Sequence, residues 1–344
     1  MRPAAASLGF PFPDPPAPGA VVEVAEGILW ARLPLPMKLD HVNVYVLADG
    51  DGWTLVDTGF DTPATRAAWE ALLAGPLAGR RVARVLATHS HPDHIGLAGW
   101  FQAQGAELLA SRTAWLTARM LWFDRQEAPV AEQLAFWRDA GMPGEVLARR
   151  QAERPWNAAD VCHPLPLGFT RLREGERLRL AGRDWTLRMG EGHAAEHATL
   201  WSADAVLGGD QLLPSISPNL GVYATEPEAD PVGDWLESCR GLAAHAAGAG
   251  LVLPGHGLPF TGLATRLGQL IDNHAQALDR LAAALAETPR TAAGCFDILF
   301  RRRIGLAEYG LALVEAVAHV NRLRREGRAR AVGRTEAGGI LWGA

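Results

Sequence analysis

Long apolar runs are absent from this sequence of 344 residues, because nowhere do eighteen apolar residues follow one another. A transmembrane helix needs about that many, so we expect none. The first twenty residues, MRPAAASLGFPFPDPPAPGA, also lack the apolar stretch of a secretory signal. These absences predict a cytoplasmic protein with no membrane partner. We interpret the Pro-rich residues 1–20 as a flexible lead-in.

Cysteine is also scarce. The three cysteines, Cys162, Cys239 and Cys295, lie far apart and form no C-x-x-C pair. That pattern argues against a disulfide framework and indicates ordinary reduced thiols. A nucleophile elbow of the G-x-S-x-G type is absent as well, so nothing indicates a serine hydrolase of that kind.

Lysine occurs once, at Lys38, and arginine supplies nearly all of the positive charge. The formal net charge is −5. Residues 263–344 contain 12 arginines against 8 acidic residues, so a modestly basic tail follows an acidic body.

The pattern of apolar residues predicts two domains. Short Val-, Ile- and Leu-rich strands separated by Gly and Asp turns recur over residues 21–262, with helical spacing between some of them. Residues 112–160 are Trp-rich and helical in pattern, which indicates an insertion. Residues 263–344 contain helices followed by two short strand-like segments, a pattern typical of a winged-helix-like domain.

One stretch, ATHSHPDHIG at residues 87–96, contains three histidines and an aspartate within six positions. His89 and His91 follow a predicted strand at a spacing that lets two imidazoles bind one divalent ion. Asp93 and His94 fall at the start of a predicted helix, where a carboxylate is stabilised. Three further candidate ligands end later strands, namely His193 in GEGHAAEH, Asp210 in LGGDQLLP and His256 in LPGHG.

These residues, in this order, resemble the signature of the metallo-beta-lactamase superfamily over about residues 20–262. The resemblance implies an α/β fold, an αββα sandwich, with two divalent metal ions bound between strand ends. It assigns His89, His91 and His193 to the first ion, Asp93, His94 and His256 to the second, and Asp210 to a bridge between them. Asp57, in LVDTG, would orient a ligand histidine. His197 would be a supporting or merely polar residue.

Such a pair of ions generates a hydroxide nucleophile near neutral pH. We therefore expect a hydrolase in which Asp93 and Asp210 act in catalysis by orienting that nucleophile. We expect zinc, although His and Asp ligands also suit iron and manganese.

The segments after Asp210 resemble the branch that contains hydroxyacylglutathione (glyoxalase II-like) hydrolases and an endoribonuclease. Residues 211–223 contain no Lys or Arg to hold the carboxylates of glutathione, although Tyr223 is present. The predicted small-molecule substrate is therefore an acyl thioester of the acyl-CoA type, or a lactone or ester. The alternative is a metallonuclease that acts on single-stranded RNA held by the arginines of the tail.

The substrate pocket is less defined by the sequence. Trp115 and Trp122 of the insertion either form an apolar wall for an acyl chain or pack the insertion on the core. His274 lies at helical spacing with leucines and is either a hydrogen-bonded interface histidine or a residue that approaches the site. The tail itself either binds nucleic acid or is structural, for example as the contact of a homodimer.

Overall fold

The computed structural model describes residues 7–344, which divide into two compact units. The predicted insertion is shared between them, since its first helix belongs to the first unit and its later helices to the second. The first unit comprises residues 7–125, 157–218 and 241–267, and the second comprises residues 126–156, 219–240 and 268–344.

Two sheets form the centre of the first unit. The larger sheet is antiparallel from β1 to β4 and parallel from β4 to β7. Its strands, in spatial order, are β1 Val22–Ala25, β2 Ile28–Pro34, β3 His41–Asp49, β4 Gly52–Val56, β5 Val82–Leu86, β6 Glu107–Ala110 and β7 Thr170–Arg171.

The smaller sheet has the order β12-β11-β10-β9-β8, and only its β11–β12 pair is parallel. Its strands are β8 Arg177–Leu180, β9 Arg183–Gly190, β10 His197–Trp201, β11 Ala205–Gly209 and β12 Leu251–Pro254.

In the described part of the chain the helices lie between residues 63 and 325. They are α1 Pro63–Ala74, α2 Pro92–Ile95, α3 Ala98–Ala103, α4 Arg112–Phe123, α5 Ala131–Asp139, α6 Gly144–Ala152, α7 Pro231–Ala243, α8 Leu263–Glu287, α9 Phe296–Phe300 and α10 Tyr309–Arg325. Among residues 7–344 no helix combines the length and apolarity that crossing a membrane requires.

Successive side chains of a strand point to opposite faces, and both faces of the two large sheets are buried. Trp30 and Leu47 of the larger sheet pack with Trp185 and Leu200 of the smaller one, so the sheets meet face to face. The other face of the larger sheet packs against α1 and α3, whose Trp69 and Phe101 rings meet edge to face.

The outer face of the smaller sheet is also covered by a helical segment. Trp201 contacts the ring of His245, which precedes the short 3-10 turn Ala246–Gly248 of the same unit. The layers therefore follow the order helix, sheet, sheet, helix, and the predicted αββα sandwich is confirmed.

Two local features differ from the expectations. The predicted continuous helix after His94 is interrupted, because the N–H of Leu97 donates to the carbonyl of Gly59 and to Thr58 Oγ1 instead of continuing the helix. Part of the lead-in is also fixed, since Gly9 forms an antiparallel bridge with Thr261. The remainder of that prediction, residues 1–6, lies outside the described residues.

The second unit contains the tail. The two strand-like segments predicted at the end of the chain pair as an antiparallel hairpin of β13 Arg330–Arg334 and β14 Ile340–Gly343. This hairpin is joined to the end of α8 by a bridge between Arg290 and Trp342. Arg334 also forms an ion pair with Asp139 of α5, so the later part of the insertion and the hairpin belong to the same unit.

Candidate metal centre

The candidate ligands converge at one edge of the sandwich because each follows the end of a strand. His89 and His91 lie in the loop between β5 and α2, and His193 lies between β9 and β10. Asp210 follows β11 directly and His256 follows β12. In parallel pairs such as β4–β5 and β11–β12 the carboxyl ends lie at the same edge, which is where ligand sites form in such sheets.

The first cluster consists of three imidazoles. His89 Nε2 lies 3.0 Å from His91 Nδ1, which in turn lies 3.0 Å from His193 Nε2. Burial and the neighbouring histidines hold the pKa of His89 well below its usual range. Its imidazole is therefore neutral at pH 7, as a metal ligand must be.

The second cluster combines carboxylates and imidazoles. Asp93 Oδ2 lies 3.3 Å from His256 Nε2 and 3.5 Å from His94 Nε2. Asp210 joins the two clusters, since one of its oxygens lies 3.3 Å from His94 Nε2 and the other 3.3 Å from His256 Nε2 and 3.5 Å from His193 Nε2.

The electrostatics of the second cluster favour a bound cation. Burial alone would lower the pKa of His256, but Asp210 and Asp93 outweigh that effect and raise it to about 10. Burial likewise opposes the charge on Asp93, yet His94 and His256 lower its pKa to about 2. A divalent ion would replace the protons on these imidazoles, so its affinity falls as the pH falls.

The residues present fit such an ion. Within residues 7–344, the buried atoms His94 Nε2 and Asp210 Oδ1 lie 3.3 Å apart, yet neither makes a hydrogen bond of good geometry, although buried polar atoms are normally paired. Three triads bring one ligand atom from each residue within 4.8 Å of the others. These triads are His89, His91 and His193; His89, His94 and Asp210; and Asp93, His94 and His256. Imidazole and carboxylate ligands of this kind suit zinc, iron or manganese.

Asp57 holds one of the candidate ligands, His94, in place. It follows β4 in a left-handed conformation with φ of 64°. Its carboxylate accepts hydrogen bonds from the N–H and hydroxyl of Thr88 and from His94 Nδ1, the last at 2.8 Å. Because His94 donates from Nδ1, its Nε2 is directed towards Asp93 and Asp210.

His197 supports the site and contributes to none of the triads. The N–H of Asp210 donates to His197 Nε2 over 3.1 Å, and the ring lies parallel to that of His89 with centroids 4.5 Å apart. Burial is the main cause that lowers the pKa of His197 to about 3, so it stays neutral as an acceptor. A side chain at Gly209, where φ is +47°, would meet the His197 ring at 2.6 Å, so glycine is required there.

The two tryptophans proposed for a substrate pocket differ in their surroundings. Trp115 stacks on Phe169 and packs against the core between the larger sheet and its helices. Trp122 instead lines a narrow, shallow cleft. The cleft is lined by residues of the metal loop, α4 and the segment after α6, namely Ser90, Pro92, Ile95, Ala118, Leu121, Trp122, Ala158, Cys162, His163 and Leu165.

Tyr223 and His274 lie in the second unit. Tyr223 is about half exposed. His274 is 2% exposed and stacks on His319 of α10, with ring centroids 5.6 Å apart. In the described part of the chain neither ring nitrogen of His274 has a hydrogen-bond partner, so the prediction of a hydrogen-bonded interface histidine is wrong.

Replacing this histidine is expected to stabilise the protein. Burial is the main cause that lowers the pKa of His274 to about 3. The unfolded chain therefore binds a proton below about pH 6.5, whereas the folded chain does not until near pH 3, and wild-type stability falls as the pH drops through that window. His274→Leu should raise the free energy of unfolding by roughly 1 kcal/mol or more at pH 7. That advantage should grow by up to about 1.4 kcal/mol per pH unit on acidification.

Urea unfolding of both proteins at pH 7 and pH 5 measures this difference. His245→Leu, at an exposed position, is the control and should stay near wild type at both pH values. An equal difference between His274→Leu and wild type at the two pH values would contradict the expectation.

Sequence reasoning missed the residues that support the loop of His256. They are three alternating residues of β3, namely His41, Asn43 and Tyr45. Their side chains, and the carbonyl of His41, form hydrogen bonds with residues 254–257. The available signal was HVNVYV, in which polar groups alternate with valines on a strand that is otherwise buried.

Comparisons with known proteins agree with this geometry. Residues 37–282 match the Metallo-beta-lactamase superfamily, and residues 278–341 match the family described as Metallo-beta-lactamase-like, C-terminal domain. A "Probable metallo-hydrolase" of Bacillus subtilis strain 168 is 27% identical over 310 residues, which cover 88% of this chain and 93% of that protein.

Two solved structures are similar over nearly their whole length. A beta-lactamase domain protein from Burkholderia ambifaria is 36% identical, with a TM-score of 0.88 and 98% of both chains covered. A metallo-beta-lactamase family protein from Thermus thermophilus is 31% identical, with a TM-score of 0.76, covering 93% of this chain and 99% of that one. The sandwich, the ligand order and these matches together show that the chain belongs to the metallo-beta-lactamase superfamily and carries that superfamily's C-terminal domain.

Proposed function

We propose that the protein is a hydrolase that uses two divalent ions, zinc in the first instance, to cleave an acyl thioester, lactone or ester. The observation that carries this proposal is the position of Asp210, whose two oxygens lie within 3.5 Å of His193 on one side and of His94 and His256 on the other. A carboxylate placed between two sets of ligands is what a two-metal site requires.

Each residue then has a defined task. Bound divalent ions lower the pKa of a water and stabilise negative charge on the reacting carbonyl oxygen. The carboxylates of Asp93 and Asp210 orient the attacking water, and Asp93, the more exposed of the two, receives its proton at a carboxylate oxygen. His197 and Asp57 keep Asp210 and His94 in place through the hydrogen bonds described above.

The apolar lining of the cleft is the feature that favours an acyl substrate. Pro92 and Ile95, which flank ligands of the second cluster, form one side of it, and Leu121 and Trp122 of α4 form another. An apolar group bound there would contact Pro92 and Ile95, which are the neighbours in sequence of Asp93 and His94. The absence of Lys and Arg from residues 211–223 argues against a substrate that carries the carboxylates of glutathione.

The nuclease alternative is weaker, because many of the tail arginines that could contact a phosphate backbone are already paired. Those arginines are Arg301, Arg302, Arg303, Arg322, Arg324, Arg325, Arg328 and Arg330. Five of these eight contact acidic side chains within the second unit. The pairs are Arg302 with Glu308, Arg322 with Asp230 and Glu326, Arg324 with Glu228, Arg325 with Asp230, and Arg328 with Asp279 and Glu326. A phosphate backbone would have to compete with these carboxylates, so we do not propose an RNA substrate.

The test combines elemental analysis with a screen of acyl thioesters, lactones and phosphodiesters on one preparation. We expect about two ions per chain and hydrolysis of thioesters or esters. Fewer than one ion per chain, or activity confined to phosphodiesters, would overturn the proposal.

Variants of the cleft should change acyl-chain preference in opposite directions. Ala118→Leu narrows the cleft and should lower kcat/KM for longer chains by roughly tenfold while sparing acetyl substrates, since one or two methylenes are worth about 1–3 kcal/mol in an apolar pocket. Leu121→Ala widens it and should favour longer chains. Both effects are read as kcat/KM across a series from acetyl to decanoyl thioesters.

Leu116→Phe, on the exposed face of the same helix, is the matched control and should leave the profile unchanged. Misfolding would lower activity on every substrate and could not produce two opposite shifts. Identical chain-length profiles in all variants would show that the acyl group binds elsewhere.

A further inference from the structure

Strand β3 holds the loop that carries His256 through three alternating residues. Tyr45 Oη donates to the carbonyl of Pro254 over 2.9 Å, and Asn43 Nδ2 donates to the carbonyls of Pro254 and Gly257, each over 2.9 Å. The main-chain N–H of Asn43 also donates to the carbonyl of Gly255 over 2.7 Å. The loop is therefore fixed along its length to the opposite sheet.

His41 completes this support at the ligand itself. Its main-chain carbonyl accepts a hydrogen bond from His256 Nδ1 over 2.8 Å, which leaves His256 Nε2 to face Asp93 and Asp210. Its imidazole Nε2 accepts from the N–H of Gly257 over 3.1 Å. One residue thus holds both the ligand ring and the backbone that follows it.

The hydrogen bonds also define the tautomer of His41. Because Nε2 accepts from Gly257, the proton of the neutral ring is on Nδ1, which donates to Asp40 Oδ1 over 2.7 Å. The Asp40 side chain is 84% exposed, while the His41 side chain is 17% exposed. A chain of contacts therefore runs from a surface carboxylate through His41 to the loop of His256.

We propose that His41, oriented by Asp40, is a positioning residue for the second metal ion, because it fixes the ring and the loop of His256. The inference depends on the two-ion site proposed above and adds a residue that contacts neither ion. Partners of metal-ligating histidines commonly affect metal affinity by 10–100-fold when they are replaced.

The experiment measures Zn²⁺ affinity at each site by competition with a chromophoric chelator, independently of any substrate. His41→Ala keeps the main-chain carbonyl that orients the ring of His256 and removes only the imidazole that holds the loop. It should therefore bind the second ion up to about tenfold more weakly, at the lower end of the effect of losing a direct partner, and the first with wild-type affinity. His41→Gln, whose amide oxygen can accept from the N–H of Gly257, should recover part of the loss. Asp40→Asn, at an exposed position, should weaken the second ion less than His41→Ala does.

His245→Ala removes an exposed imidazole, is the control, and should retain both affinities. Wild-type affinity for two ions in His41→Ala and Asp40→Asn would overturn this inference alone. A wild-type chain that holds a single ion would overturn the two-ion proposal and the inference together. If His41→Ala does not fold, the Gln and Asn variants still decide the question.

Discussion

Asp210→Asn is expected to reduce kcat by on the order of 10³-fold or more and to lower the metal content of the purified protein. The substitution keeps the size of the side chain but removes the charge that lies between the two clusters. It also turns an amide N–H towards His94 or His256, where a ligand oxygen is needed. Both ions lose a shared ligand, so the effect exceeds that of a change at one site.

Turnover of the best substrate from the screen and zinc per chain are measured together for this variant. Asp204→Asn is the control, since Asp204 lies in the turn after β10 and pairs with Arg183 at the surface. That control should keep wild-type values of both quantities. Undiminished turnover in Asp210→Asn would refute a catalytic role for this cluster.

Asp57→Ala is expected to lower both the free energy of unfolding and the affinity for the second metal ion. It removes the acceptor for three buried donors, namely the N–H and hydroxyl of Thr88 and Nδ1–H of His94. An unsatisfied buried donor costs about 1–3 kcal/mol, so the metal-free protein should lose roughly 3 kcal/mol or more of its free energy of unfolding. His94 would also be free to rotate, and the second ion should bind about 10–100-fold more weakly.

Asp57→Asn removes the negative charge without straining the backbone, because asparagine tolerates the left-handed φ of 64° found here. Its carbonyl oxygen can still accept one of the hydrogen bonds, so this variant should unfold nearer to wild type while still binding the second ion weakly. Urea unfolding in chelator measures the free energy of unfolding, and Zn²⁺ titration measures the affinity for the second ion. The control Asp184→Ala, on the surface hairpin of β8 and β9, should have wild-type values of both. Wild-type values of both in Asp57→Ala would contradict the role assigned to Asp57.

The strands and the candidate ligands leave local patterns in the sequence, and the sandwich could be predicted through the resemblance that those ligands carry. Strands alternate, and each ligand comes directly after a strand or in a Gly-flexed loop, as Asp210 and His256 do. The interruption of the helix at Gly96 and Leu97 could not be predicted from a local pattern. It depends on Thr58 and Gly59, which lie almost forty residues earlier and accept the hydrogen bond that a continuous helix would have used.

Support from the main chain was equally hidden. His256 is oriented by the carbonyl of His41, and every residue has a carbonyl, so no side-chain motif announces the contact. The two tryptophans could not be told apart by their sequence pattern either, because both lie in α4. In the structure Trp115 stacks on Phe169 and is a core residue, whereas Trp122 lines the cleft together with residues of the metal loop.

The distribution of ligands over both sheets has a consequence for folding. His91 and His193 are 102 residues apart in the chain and lie in loops that follow strands of different sheets, so a high-affinity ion site exists only after the sheets have docked. Any ion that binds there acts as a cross-link between them, and at a hundred times its Kd it adds about 2.7 kcal/mol to the free energy of unfolding. The apparent melting temperature of this protein should therefore rise with the concentration of free metal, and an excess of chelator should lower it to the value of the metal-free fold.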